Sequence, residues 1–258
     1  MKILGSDYDG TLYCGGISEE NLVGIARWQA QGNKFGIVSG RGVDFPAKLK
    51  TQYPHFKVDF FVLCNGAYIL DGEGNVIFSA PCREVSPREL IFDLLSWGCD
   101  FVQISAHKCW RVLADLKNTP AWGTDVENLL VEDLEDVDFF YQFSVRQSDD
   151  VMATRLVETI REKYGRWLNP LQNGRCIDIV ASGVNKSTGM THVMTYYGVT
   201  TESVRVVGDQ MNDLDMIRTF PSFAMESGND ALKTEATGVV RNVAELIERE
   251  FNGKEECL

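Results

Sequence analysis

The stretch that decides the fold is Met1-Lys2-Ile3-Leu4-Gly5-Ser6-Asp7-Tyr8-Asp9-Gly10-Thr11. Its first six residues read as one short buried strand. Two carboxylates two positions apart then stand at the strand's C-terminal edge, with a glycine and a hydroxyl behind them. Open α/β sheets place their ligand chemistry at such edges. Acids this close suit a hard cation such as Mg²⁺. They also suit a division of labour, one carboxylate as nucleophile and the other as general acid and base. Asp-Gly is equally a common turn dipeptide, so the motif alone leaves an Asx-type turn open.

Working outward, residues 18–31 carry Leu22, Ile25, Ala26 and Gln29 near helical spacing, with Ser18 as N-cap and Gly32 just past the end. Lys34-Phe35-Gly36-Ile37-Val38 reads as a second strand running into Ser39-Gly40-Arg41. A helix is expected over 44–53, with Pro46 in its first turn. Phe60-Phe61-Val62-Leu63-Cys64 is continuously apolar, as a strand covered on both faces should be, and ends at Asn65-Gly66-Ala67. Strand–helix–strand–helix–strand is the signature of a parallel sheet.

The character then changes. Residues 68–78 read as a hairpin around Asp71-Gly72-Glu73-Gly74-Asn75. Helices are expected over 87–97 and 149–164, and strands over 101–104, 110–113, 139–145 and 176–180. The βα rhythm resumes with a helix over 186–197 and a strand over 204–207. That strand delivers Gly208-Asp209-Gln210-Met211-Asn212-Asp213. A short helix over 214–219, a strand over 223–225 and a helix over 243–251 close the chain. The fold class is therefore α/β: a Rossmann-like parallel-sheet core over residues 1–80 and 183–258, interrupted by an α+β unit over 81–182.

Composition bounds the function. The chain has 258 residues, 44% hydrophobic and 24% charged, as in ordinary globular proteins. A net charge of −12 argues against a nucleic-acid or membrane-surface partner. An anionic substrate then needs local positive charge and a metal. The seven cysteines are scattered without a Cys-x-x-Cys, so reduced thiols in a cytoplasmic protein are expected. The three histidines are too dispersed to form a ligand cluster. No apolar run approaches a membrane span, and with the motif so early in the sequence no signal peptide is expected. A monomer or small homo-oligomer is expected.

Three further stations fall at ends of the same expected sheet. Ser39-Gly40-Arg41 offers a hydroxyl, backbone donors and a guanidinium suited to phosphate oxygens; alone it reads equally as a helix N-cap with a surface arginine. Lys186 opens a helix, where a solvated lysine is the ordinary reading. Gly208-Asp209-x-x-Asn212-Asp213 clusters acids and an amide directly after an apolar strand, and would complete a metal site opened by Asp7.

Together the four stations resemble the motifs of the haloacid dehalogenase (HAD) superfamily of phosphotransferases. Asn65-Gly66-Ala67 and Gly183-Val184-Asn185-Lys186 look like its Cof-type branch (subclass IIB), in which an α/β cap of the C2B type lies between the second and third motifs. The 144 residues between Arg41 and Lys186 leave room for one. Ser187 stands where relatives often carry glycine, a change a helix start should tolerate.

The resemblance implies a Mg²⁺-dependent phosphatase of a small phosphorylated metabolite, such as a sugar phosphate, working through an aspartyl-phosphate. Asp7 would be nucleophile and Asp9 the acid and base. Thr11, Ser39, Gly40, Arg41, Lys186 and Asn212 would bind phosphate or substrate. Asp7, the Asp9 backbone carbonyl, Asp209 and Asp213 would form the metal site. The second aspartate at Asp9 speaks against a dehalogenase. A phosphomannomutase-like phosphomutase stays open, as does a non-catalytic phospho-ligand sensor, although every catalytic carboxylate and the lysine are in place. Substrate choice should lie in the cap, where His107, Trp110, Arg146, Asn173 and Arg175 are polar or aromatic but are not singled out as site residues.

Overall fold

A computed structural model describes residues 1–99, 101–113, 126–130 and 137–252. Strand β1 (Ile3–Ser6) is buried along its whole length, and the first sheet grows from it in both directions. On one side lie β2 (Lys34–Val38) and β3 (Phe60–Leu63); on the other lie β12 (Val204–Gly208), β13 (Ser222–Met225) and β14 (Gly238–Val240). All six are parallel. The hairpin of β4 (Tyr68–Asp71) and β5 (Val76–Ser79) adds two antiparallel strands beyond β3.

Because consecutive strand residues point to opposite faces, each strand feeds two cores. Leu4, Phe35, Ile37, Phe61, Leu63 and Val207 pack with α1 (Glu19–Ala30), α2 (Phe45–Gln52) and α8 (Val243–Asn252). Ile3, Val38, Phe60, Val62, Val204 and Val206 pack with α5 (Lys186–Tyr196), α6 (Leu214–Thr219) and α7 (Asp230–Glu235). Both faces being covered explains the unbroken apolar runs. Ser18 caps α1, accepting from Asn21 N–H at 3.2 Å, and Gly32 follows it at φ 75°.

A second sheet lies between β5 and α5 in the chain, in the order β10-β11-β9-β6-β7-β8. Its strands are β6 (Phe101–Ser105), β7 (Cys109–Leu113), β8 (Glu127–Leu130), β9 (Gln142–Arg146), β10 (Leu168–Asn173) and β11 (Cys176–Ala181). All neighbours are antiparallel except β7 and β8. One face, with Val102, Ile104, Phe143, Val145, Ile177 and Ile179, packs on α3 (Pro87–Ser96) and α4 (Asp150–Tyr164). The opposite, polar face carries Gln103, Gln142, Ser144, Arg146 and Asp178.

The two chain crossings between the sheets share a small core of Cys64, Ala67, Val180 and Val184, with Ala80 and Tyr141 against it. The expected strand over 139–145 starts later, at Gln142, because Phe140 pairs with Cys82 in an isolated bridge where the chain enters this unit. Strands β8, β10 and β14 and helix α7 were not foreseen. Pro170 argues against a strand, yet β10 is an edge strand, where a missing N–H is tolerated. The described cysteines are all free thiols; Cys257 and Trp122 lie outside the described residues. No helix among the described residues is long and apolar enough to cross a membrane.

Candidate active site

From β1 the sheet runs one way to β2 and β3 and the other way to β12, β13 and β14. Such a reversal opens a crevice at the strands' carboxyl ends, and Asp7 follows β1 directly into it. Asp7 N–H still donates to Val207 O at 2.9 Å, so the ladder holds its backbone in place. The chain then turns sharply, with Tyr13 N–H donating to Tyr8 O at 2.8 Å. Gly10 makes the turn possible: its φ is 86°, and a Cβ there would stand 2.3 Å from Asp209 Oδ2.

Three buried carboxylates, Asp7, Asp209 and Asp213, bring ligand oxygens within 4.8 Å of one another. Lys186, 1% exposed, inserts its ammonium between two of them, with Nζ 2.7 Å from Asp7 Oδ1 and 2.5 Å from Asp213 Oδ1. Helix α5 aims this lysine because Asn185 caps its first turn in a reciprocal capping box with Thr188. Asp213 Oδ2 accepts the backbone N–H groups of Asp209 and Gln210 at 3.0 and 3.2 Å. Its oxygens are thus engaged by the protein, and Asp209 accepts the Thr11 hydroxyl at 3.0 Å.

The charges explain the titration. Burial raises the Asp7 carboxyl well above its ordinary range, with the Asp213 charge adding to the shift and Lys186 opposing it. Burial and the Asp213 charge raise Asp209 as well. Burial works to lower the Lys186 pKa, but the Asp213 and Asp7 carboxylates overcome it and hold the ammonium above its ordinary value. With all three carboxylates ionised, one ammonium leaves a formal excess of two negative charges in this buried, oxygen-rich pocket, and the raised Asp7 and Asp209 reflect it. That donor set and charge fit a hard divalent cation.

Above this cluster opens a cavity of ≈ 540 Å³. Of the residues singled out from sequence, Asp7, Asp9, Ser39, Gly40, Arg41, Asp209 and Asn212 line it. Lys186 and Asp213 lie beneath. Thr11, 1% exposed, turns its hydroxyl to Asp209 and is not among the lining residues. Ser39 Oγ accepts Arg41 N–H at 3.1 Å. Asp9 is half-exposed and held by Arg41, whose Nε and second guanidinium nitrogen lie 2.8 and 2.6 Å from its two oxygens.

The polar face of the second sheet roofs the cavity with Arg111, Ser144, Arg146, Asn173, Arg175 and Asp178. His107 and Trp110 are elsewhere, their rings edge to face at 4.7 Å, and Trp110 belongs to the insert's core. Sequence reading missed Asp44, Lys48, Phe101 and Gln103 in the lining. The signal for the roof was present: Gln142-Phe143-Ser144-Val145-Arg146 alternates strictly, so one face must be polar.

A doubly wound sheet with an acid cluster at its switch point and an inserted roof defines a class of phosphoryl-transfer enzyme. Within it, the chain belongs to the haloacid dehalogenase-like hydrolase family, whose description matches residues 4–245. It is 25% identical over 250 residues to the 5-amino-6-(5-phospho-D-ribitylamino)uracil phosphatase YbjI of Escherichia coli, covering 92% of this chain and 89% of that protein. It is 28% identical over 276 residues to the phosphatase of the same name, YitU, of Bacillus subtilis, covering 97% of each. Among solved structures, a HAD subclass IIB sugar phosphatase superposes with a TM-score of 0.80 at 17% identity, over 96% of this chain and 98% of that one. A haloacid dehalogenase-like hydrolase from B. subtilis superposes with a TM-score of 0.80 at 16% identity, over 96% and 99%. The chain thus has this hydrolase family's parallel-sheet core with a second sheet inserted into it.

Proposed function

We propose that the protein is a Mg²⁺-dependent phosphatase of a small phosphorylated metabolite, a sugar phosphate or related phosphomonoester, acting through an aspartyl-phosphate. The observation that carries this reading is the buried group of three carboxyls, Asp7, Asp209 and Asp213, around the Lys186 ammonium, directly under a cavity rimmed by Ser39 and Arg41. The phosphoribityl substrate named for the relatives is of the same chemical class. Free thiols at the described cysteines fit a cytoplasmic location.

Asp7 and Asp209, with the Asp9 carbonyl, would hold the cation. When bound, it supplies charge neutralisation for the phosphate and the attacking carboxylate. Without compensation, each unit-charge pair at ~4 Å and an effective dielectric of ~20 repels by roughly 4 kcal/mol. Asp213 serves chiefly to hold Lys186 and the Asp209 backbone. In the proposed first half-reaction Asp7 Oδ attacks phosphorus, forming an O–P bond as the bond to the leaving oxygen breaks. Asp9, freed from its Arg41 pair and protonated from solvent, gives that proton to the leaving oxygen. In the second half-reaction Asp9 takes a proton from water, which attacks phosphorus and releases Asp7 and inorganic phosphate. Ser39 and Lys186 offset the charge on the phosphate oxygens.

Phosphate release is to be measured across sugar, polyol and nucleoside phosphates with and without Mg²⁺. Asp7→Asn is expected to leave a folded protein with no turnover; full activity would remove Asp7 as nucleophile. Transfer of the phosphoryl group between substrate positions with no free phosphate would replace hydrolysis by the mutase reaction.

A further inference from the structure

The turn after β3 holds two successive non-glycine residues in the left-handed region, Cys64 at φ 50° and Asn65 at φ 51°. Side-chain-bearing residues adopt this conformation at a cost, and keep it only where the surroundings impose it. Backbone bonds show what it supports. Asn65 N–H donates to Ser39 O at 3.1 Å, and Cys64 N–H to Arg41 O at 2.9 Å. The strained turn is the floor of Ser39-Gly40-Arg41.

The Asn65 side chain, fully buried, reaches across to the inserted sheet. Its Nδ2 donates to Asp178 Oδ2 on β11 at 2.8 Å and to Gln142 Oε1 on β9 at 2.9 Å. Gln142 reaches back, its Nε2 donating to Gly40 O at 2.7 Å. Asp178 is fastened within its own sheet by Ser144 Oγ at 2.7 Å. A Cβ on Gly40 would stand 2.6 Å from Asp178 Oδ2, so glycine is needed for this approach. Among the described residues Asn65 Oδ1 has no donor. Turning the amide over would set oxygen against the Asp178 and Gln142 acceptors. A strained backbone and an unmet acceptor both disfavour the fold, which points to a positioning task.

The Gly40 carbonyl and the Arg41 N–H belong to one planar peptide unit. Holding Gly40 O therefore aims Arg41 N–H, which donates to Ser39 Oγ and leaves the Ser39 hydroxyl proton free to point elsewhere. Resting on the reading of Ser39-Gly40-Arg41 as the phosphate-binding turn, we propose that Gln142 and Asp178 are positioning residues that fix this turn through Gly40 and Asn65. Phosphate affinity in the core then depends on two side chains of the inserted sheet, neither of which touches the reacting atoms.

The test uses inorganic phosphate as inhibitor and p-nitrophenyl phosphate as substrate, with Mg²⁺, in the full chain. Gln142→Leu is expected to weaken phosphate inhibition about tenfold and to lower kcat about tenfold or more. Asn65→Asp sets two carboxylates face to face, and Asp178→Asn sets an amide N–H against either Asn65 Nδ2 or Gln142 Nε2; both are expected to fall likewise. The exchange Asn65→Asp with Asp178→Asn restores one donor facing one acceptor between these two positions, while Gln142 Oε1 stays without its donor, and aspartate tolerates the left-handed region as asparagine does. It is expected to recover phosphate inhibition in part, to a level better than either single variant. Wild-type phosphate inhibition in Gln142→Leu overturns the proposal, as does an exchange variant no better than its parents. A rise in KM confined to bulky substrates, with phosphate inhibition unchanged, also overturns it and makes these residues leaving-group contacts. Should Gln142→Leu fail to fold, the exchange decides. A wild-type protein that hydrolyses no phosphomonoester removes the phosphate-site reading itself, whereas active wild type with indifferent variants removes only the positioning role.

Discussion

Lys186 shows how far a single residue's environment can be read. Its place at a helix start was legible, but alone it read as an ordinary solvated lysine, and only the set of four motifs singled it out. What the sequence could not show is that it is buried against two carboxylates at once. Removing one member of such a group leaves charge stranded in a low-dielectric site. Lys186→Met is expected to lose about 3–5 kcal/mol of stability in urea denaturation, and Lys186→Met with Asp213→Asn to regain most of it. Neither is expected to turn over substrate. Gly10→Ala is expected to abolish turnover while leaving a folded protein, because its Cβ would displace Asp209 Oδ2; a metal titration of activity checks this. The roles of Gln142, Asp178 and Asn65 escaped sequence reading for a different reason. Their partners lie 77 and 113 positions apart, and no local pattern encodes a hydrogen bond between sheets.

At the scale of elements, periodicity and punctuation were enough for the long pieces. Helices α1 and α4 form where Ser18 and Asp149 cap apolar stripes, and the hairpin of β4 and β5 forms around its glycine-rich turn. The short pieces failed. Residues 238–240 make a strand only because β13 offers them an edge, which is a tertiary fact. Helix α8 permits a test by pH. Glu245 accepts Arg241 N–H at 2.9 Å, and Arg241 and Arg249 add ion pairs. These contacts, the backbone bond first, lower its pKa from 4.5 to about 2. A carboxylate depressed in the folded state stabilises above its unfolded pKa and loses that contribution as pH falls through the folded one. Glu245→Gln is therefore expected to lower Tm by about 2 °C at pH 7, solvent screening having weakened the pairs. The gap to wild type closes between pH 4.5 and about 2, and calorimetry at several pH values measures it.

For the whole molecule, the doubly wound core and its insertion were legible because β/α alternation stops near residue 80 and resumes near 183. The orientation of the insert was not, although its alternating strands already implied one polar face. Charge is the global lever. A chain of net −12 that buries three of its carboxyl groups around one ammonium should be tightened by a cation. Mg²⁺ at about a hundred times its dissociation constant is expected to add ~2.7 kcal/mol. Thermal melts with Mg²⁺ and with a chelator test this, and Asp209→Asn is expected to lose the difference. An equal melting temperature in both conditions would contradict the assignment of the metal site.

The shared core of Cys64, Ala67, Val180 and Val184 brings the two chain crossings together with Ala80 beside them. Seen from the parallel sheet, some hundred residues are thus one surface loop whose ends already meet. Closing a longer or shorter loop at that point changes the entropy only logarithmically, by about 0.6 kcal/mol per doubling of length. The roof over the cavity can therefore be lengthened, shortened or exchanged at little thermodynamic cost to the sheet that carries Asp7. Such a joint lets a lineage acquire new substrates, provided the exchanged roof keeps the two side chains that hold Gly40 and Asn65.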